Sequence, residues 1–187
     1  MGKVTYDGKT AGPVVVYVVT VPGAQRSRDR SGSVAQRNIA FVPRGVVVTA
    51  GAKVAFPNED KTYHNVFSLS AGNEFDLGLY REGASQTATL PTPGEVDVYC
   101  NIHPDMSMKV LVLQNDLYVF VGSDGTYKVS GVPDGTWAVV AWAPDLEPIE
   151  RQVTVTSGPA SADFHLVPRP SGDPHTNKSG EQYGRYH

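Results

Sequence analysis

This sequence predicts an all-β protein made of two β-sandwiches, and three observations predict it. Nineteen glycines and fourteen prolines are dispersed along the 187 residues and cut the chain into short runs. Those runs are rich in Val, Thr, Tyr and Phe, which suit a pleated, half-buried surface. No helix is needed to account for any of them, and their number fills more than one pair of sheets.

In chain order, strands are expected over 3–6, 14–20, 34–41, 46–49, 53–56, 65–69, 86–90 and 95–99. Further strands follow over 109–113, 118–121, 126–130, 137–142, 151–156 and 163–167. The pairs Asp7-Gly8, Asp124-Gly125 and Asp134-Gly135 read as hairpin turns, because glycine accepts the positive φ that side chains resist. Residues 71–85 fit neither the strand nor the helix period, so a long loop with room for one helical turn is expected there. From 168 to 187 the chain is polar and without apolar period, as an extended or disordered tail would be.

Composition narrows the function. A net charge of −3 from sixteen basic and nineteen acidic residues supports neither nucleic-acid nor anionic-membrane binding. No apolar stretch is long enough to span a bilayer. With one cysteine there is no intrachain disulfide, and zinc ribbons, zinc fingers and iron–sulfur clusters lack ligands. Five histidines, without His-x-His pairs, are too few for a multicopper oxidase. No nucleophile–base pair, phosphate loop or paired-acid motif is present, so an enzyme is not expected.

Two segments carry chemistry. The first, Val98-Tyr99-Cys100-Asn101-Ile102-His103-Pro104-Asp105-Met106-Ser107-Met108-Lys109-Val110, puts a thiol, an imidazole and a thioether into one loop between strands. Upstream, Tyr63-His64-Asn65-Val66 supplies a second imidazole at the start of a strand. A thiolate and two imidazoles in a near-trigonal plane, with a weak axial thioether, suit both oxidation states of copper. Taken singly, Cys100 would read as a small core hydrophobe and His64 as a satisfied core histidine. Their joint occurrence points to a metal.

These residues resemble the cupredoxin family, the blue type 1 copper proteins, in amicyanin- and plastocyanin-like form. The resemblance covers 34–113, and it implies a Greek-key β-sandwich with one mononuclear copper held by His64, Cys100, His103 and Met106. Met106 fits the family both from the His103 side, as in the shorter amicyanin-like loop, and from the Met-x-x-Lys-Val strand start. Met108, which fits the longer plastocyanin-like loop, is the alternative axial ligand. Asn65 is expected to tie the His64 loop to the Cys100 loop through its side chain, and Tyr99 and Pro104 to pack beside the ligands.

Residues 117–167, with Asp124-Gly125-Thr126-Tyr127 and Val132-Pro133-Asp134-Gly135-Thr136, resemble the later part of carboxypeptidase regulatory-like, transthyretin-type sandwiches. Residues 2–20 resemble its missing beginning. The expected organisation is therefore a discontinuous sandwich of 2–20 and 117–167 with the cupredoxin inserted, followed by the tail 168–187.

The function implied is electron transfer by Cu(I)/Cu(II) cycling with an unidentified redox partner protein. The alternatives are copper delivery, storage or sensing, and a metal-free structural or adhesion module. An extracytoplasmic, periplasmic location is expected, with an export signal removed ahead of Met1. Arg26, Arg28, Arg30 and Arg37 read as a solvated loop cluster rather than a docking patch, His165, His175 and His187 as structural or solvated, and Asn177-Lys178-Ser179 as a common glycosylation triplet.

Overall fold

The computed structural model describes residues 1–10, 12–24, 30–170 and 176–181, and every regular element among them is a strand. The chain is all-β. In chain order the strands are β1 (Gly2–Tyr6), β2 (Val15–Val18), β3 (Gly32–Ser33), β4 (Ala35–Gln36), β5 (Phe41–Val42), β6 (Gly45–Thr49), β7 (Ala52–Pro57), β8 (His64–Ser68) and β9 (Phe75–Tyr80). They continue as β10 (Ser85–Leu90), β11 (Gly94–Cys100), β12 (Ser107–Leu113), β13 (Tyr118–Phe120), β14 (Thr126–Tyr127), β15 (Gly135–Ala143), β16 (Leu146–Val155) and β17 (Phe164–Leu166).

These strands fall into two compact units, one of Met1–Arg28 with Leu113–Arg169, the other of Asp29–Val112 with Pro170–His187. In the second unit a five-stranded sheet, ordered β6-β12-β11-β8-β9, faces a three-stranded sheet, β10-β7-β3, with the small β4-β5 pair alongside. Period-two alternation decides which side chains enter the core. Val96, Val98 and Cys100 on β11 and Met108, Val110 and Val112 on β12 are buried together with Val54, Phe56, Ala88 and Leu90 of the opposite sheet. Cys100 thus lies on the face of β11 that the apolar pattern drives inward.

In the first unit the four-stranded sheet β13-β2-β15-β16 and the three-stranded sheet β14-β1-β17 enclose a separate core. Val16 and Val18 contribute from β2, Val139 and Ala141 from β15, and Val4, Tyr127, Phe164 and Leu166 from the smaller sheet. Strand β2 pairs antiparallel with β15, Val15 opposite Trp142 and Val18 opposite Val139. Strand β1 runs parallel to β17, with Val4 opposite Phe164.

Four expectations need correction. The run 34–41 is two strands rather than one, because Asn38 and Ile39 both take φ of 55° and fold β4 back on β5. Within 71–85 there is a full strand, β9, on the sheet edge; Gly78 at φ 70° and the exposure of Leu79 disguise its period. Gly8, Gly125 and Gly135 do have positive φ. However, β1 and β2, β13 and β14, and β14 and β15 lie in different sheets, so these turns are crossovers and not hairpins. At Gly125 a Cβ would come within 2.7 Å of the Val4 carbonyl oxygen, which is why glycine is required there. Lastly, part of the tail is held in place. Lys178 donates its backbone N–H to Asn101 Oδ1 (3.0 Å) and its ammonium to Asp76 Oδ2 (2.6 Å).

Candidate metal centre

Strand β8 opens with His64, and all five of its residues are buried. It lies beside β11, so that Cys100 sits opposite Val66 and Tyr99 opposite Phe67. Adjacent central strands therefore deliver an imidazole and the thiol to the same end of the sandwich. Beyond Cys100 the chain turns back on itself at once. Cys100 N–H donates to the Met106 carbonyl (3.0 Å), Met106 N–H to the His103 carbonyl (3.1 Å), and Asn101 N–H to the Asn65 carbonyl (2.9 Å). His103 is thereby held over Cys100 and His64.

The donor atoms converge. Cys100 Sγ lies 3.7 Å from His64 Nδ1 and 3.5 Å from His103 Nδ1, and the two Nδ1 atoms are 3.1 Å apart. The centre of a triangle with those sides is about 2 Å from each corner, which is the bonding range of imidazole nitrogen and thiolate sulfur toward late first-row metal ions. Among the described residues this is the one grouping of His, Cys, Asp or Glu side chains suited to a metal.

Electrostatics require a cation or a proton at that centre. His64 Nε2 is 2.9 Å from Asp60 Oδ2, and an ionised carboxylate can only accept. The proton of neutral His64 is therefore on Nε2, and Nδ1 presents a bare lone pair toward His103 and the sulfur. Neither His64 nor Cys100 has any exposed surface, so water cannot relieve this meeting of lone pairs. His103, which is only partly buried, has its pKa lowered by burial and further by His64, with Asp60 acting in the opposite direction. A ring kept neutral is one ready to ligate.

Asp60 was not singled out by the sequence. Burial pushes its pKa up, but hydrogen bonds from Ile39 N–H, His64 and Asn38 N–H outweigh that and hold it below the usual carboxylate range. Its only sequence signal is an acid four residues before a histidine outside any helix, which is no motif.

Met106, just ahead of β12, is 1% exposed and belongs to the same core cluster as Cys100. Met108 is also buried, but it lies in the ladder opposite Val98. Tyr99 packs against Phe67 with ring centroids 5.8 Å apart and ring planes tilted by 42°. One role differs from expectation. Asn65 links the two ligand loops through its backbone carbonyl, while its side-chain amide donates to Asp76 Oδ1 (2.6 Å) and the Gly78 carbonyl (2.9 Å) on β9. The inward-facing sequence of β8 leaves that amide directed at the neighbouring edge strand. Pro104 is exposed. It occupies the second position of the turn closed by the Met106 N–H to His103 O bond, where its fixed φ is favourable.

The remaining polar candidates lie elsewhere. Arg30 donates to the Val47 carbonyl and Arg37 pairs with Glu59, whereas Arg26, Arg28, His175 and His187 lie outside the described residues. His165 meets Thr5 (2.9 Å) and Asp7 (3.4 Å) on an exposed face of the other unit. No helix among the described residues is long and apolar enough to cross a membrane.

One thiolate and two imidazoles in a closed triangle suit a single type 1 copper ion. Comparison with known proteins agrees. The family described as copper binding proteins of the plastocyanin/azurin type matches residues 29–114. Plastocyanin from Ulva prolifera is 31% identical over 84 residues, covering 40% of this chain and 86% of that protein, and plastocyanin from Ulva pertusa gives the same figures. Among solved structures, amicyanin from Paracoccus versutus aligns at 22% identity with a TM-score of 0.40, over 52% of this chain and 96% of that one. With most of a plastocyanin's length matched and the donor triangle closed by β8, β11 and the loop that follows, this chain belongs to the plastocyanin/azurin family of copper binding proteins.

Proposed function

We propose that the protein carries electrons, one at a time, by cycling a copper ion that His64, Cys100, His103 and Met106 would hold. The observation that carries this is the triangle of Cys100 Sγ and two Nδ1 atoms, with two corners fully buried and fixed on neighbouring strands. Bound there, copper supplies a one-electron couple. The chain's own part is to hold the donors nearly still in both oxidation states, so that little reorganisation accompanies the transfer. His64 and Cys100 are braced inside the sandwich, and partly exposed His103 gives the electron its nearest route to a partner's surface.

Met106 is favoured as the axial donor by its position. It ends the ligand loop and its carbonyl receives the Cys100 N–H, whereas Met108 is committed to the ladder of β12 with β11. The partner on this reading is a redox protein met transiently, and the setting is extracytoplasmic, periplasmic in a bacterial cell. The first unit is read as a carboxypeptidase regulatory-like sandwich into which the copper sandwich is inserted, a reading supported by the pairing of β2 with β15 and of β1 with β17.

Copper titration with optical detection tests the central claim. Copper(II) should produce an intense band near ~600 nm from thiolate charge transfer, and Cys100→Ala should remove it. A colourless complex in the unaltered protein would move the reading to copper delivery or storage.

A further inference from the structure

We propose that Asp60 is a positioning residue for the metal centre: it fixes the tautomer and orientation of His64 and lowers the reduction potential through that ring. The proposal rests on the copper reading of the site.

Three independent observations meet at this carboxylate. First, Asp60 Oδ2 accepts from His64 Nε2 at 2.9 Å, with the imidazole fully buried and the carboxylate 12% exposed. A buried N–H to carboxylate bond pins the ring, leaves Nδ1 as the only possible donor to a metal, and transmits negative charge to it. Second, the same carboxylate accepts from the backbone N–H groups of Asn38 (2.5 Å) and Ile39 (2.9 Å). Successive backbone N–H groups converging in this way form an anion-binding concavity.

Third, that concavity is strained. Ile39 holds φ at 55° although its side chain is β-branched and 52% exposed. Backbone strain of this kind persists only where the surroundings impose it. The two-residue turn closed by the reciprocal Arg37 and Ala40 backbone bonds demands those angles, and the bond from Ile39 N–H to Asp60 adds to their support.

Asp60 is itself braced. Its N–H donates to Asn58 Oδ1 (2.9 Å), and Asn58, 1% exposed, donates in turn to the Thr62 carbonyl (2.9 Å) and the Tyr80 carbonyl (3.2 Å). Glu59 N–H reaches the Gln36 carbonyl (3.0 Å) and its carboxylate receives Arg37 Nε (2.9 Å), closing the loop of 58–62 onto the turn of 37–40. The outcome is a rigid mount that places one negative charge behind the buried ligand.

The test compares the unaltered chain with Asp60→Asn and Asp60→Ala. In the metal-free protein, nitrogen NMR of the imidazoles should find His64 wholly in the Nε2–H form, with Asp60→Ala giving a mixture. In copper-loaded protein both substitutions should weaken Cu(II) binding by ~10–100-fold and Cu(I) binding by less, so that the potential rises. Unchanged potentials with a lowered melting temperature would overturn the proposal and leave Asp60 as a structural clamp. An Nδ1–H tautomer in the unaltered metal-free protein would overturn it as well. Failure of the unaltered chain to bind copper would instead refute the function proposed above, and the NMR comparison would still decide the tautomer claim.

Discussion

Met106 and Met108 differ in position by two residues and in burial by almost nothing, at 1% and 3% exposed. Both point inward, because a strand period of two places them on one face. What separates them is the backbone: Met106 closes the ligand loop and Met108 sits in register with Val98. Met106→Leu should leave a coloured site with a raised potential, since losing a weak axial donor disfavours Cu(II). Met108→Leu should leave the potential unchanged and cost less than about 1.5 kcal/mol of stability, as volume-conserving core swaps do. Voltammetry of the two variants checks this, and the reverse result would exchange their roles. The grouping of His64, Cys100 and His103 could be anticipated from sequence because a soft metal demands particular atoms, and those residue types are few in this chain. The contact of Asp60 with His64 could not, since a carboxylate that meets a buried ring obeys no spacing rule and is recognised only once the loop of 58–62 has brought it there.

Strands buried on alternate residues, such as β11 and β12, state their period openly. Strand β9 does not: it is an edge with a glycine at positive φ and a register shift against β8. The split of β4 from β5 was likewise hidden: Asn38 favours the left-handed region but β-branched Ile39 opposes it, and the carboxylate that helps hold the turn lies on another loop. In the other unit, β14 supplies Tyr127, whose hydroxyl donates to the Ala162 carbonyl (2.6 Å) beside β17. Burial, assisted by the charge of Asp163, pushes its phenol up to about 12. An unfolded tyrosine ionises near ~10. The folded state therefore retains the proton longer, and this contribution to stability is complete below pH ~10 and lost as pH rises toward 12. Tyr127→Phe should lower stability at neutral pH and flatten the decline between pH 10 and 12. Denaturant unfolding of both proteins across that range measures the difference, and parallel curves would contradict it.

On the scale of the whole molecule, two separate cores imply two partly independent stabilities. Copper bound to the unit of Asp29–Val112 stabilises only the structure that contains its ligands. Calorimetry should show two transitions, one rising on copper addition and returning when a chelator removes the metal, the other staying fixed. A single transition that moves as a whole would mean that the units unfold together. That the chain folds into more than one sandwich was legible from the number of its strand-like runs. The bonds that hold Lys178 to Asn101 and Asp76 were not, since a short polar segment carries no periodicity from which docking could be read.

The parallel pairing of β1 with β17 spans almost the whole chain. Lys3 N–H is bonded to Asp163, 160 positions further along, and the other neighbour of β1 is the equally non-local β14, so this strand has no sheet partner near it in sequence. Strands β2 to β13 and every donor atom of the metal triangle lie between β1 and the nearer of its two partners. Strand β1 thus depends on long-range pairing to find its place, and until that forms its unpaired edge is open to any other strand it meets.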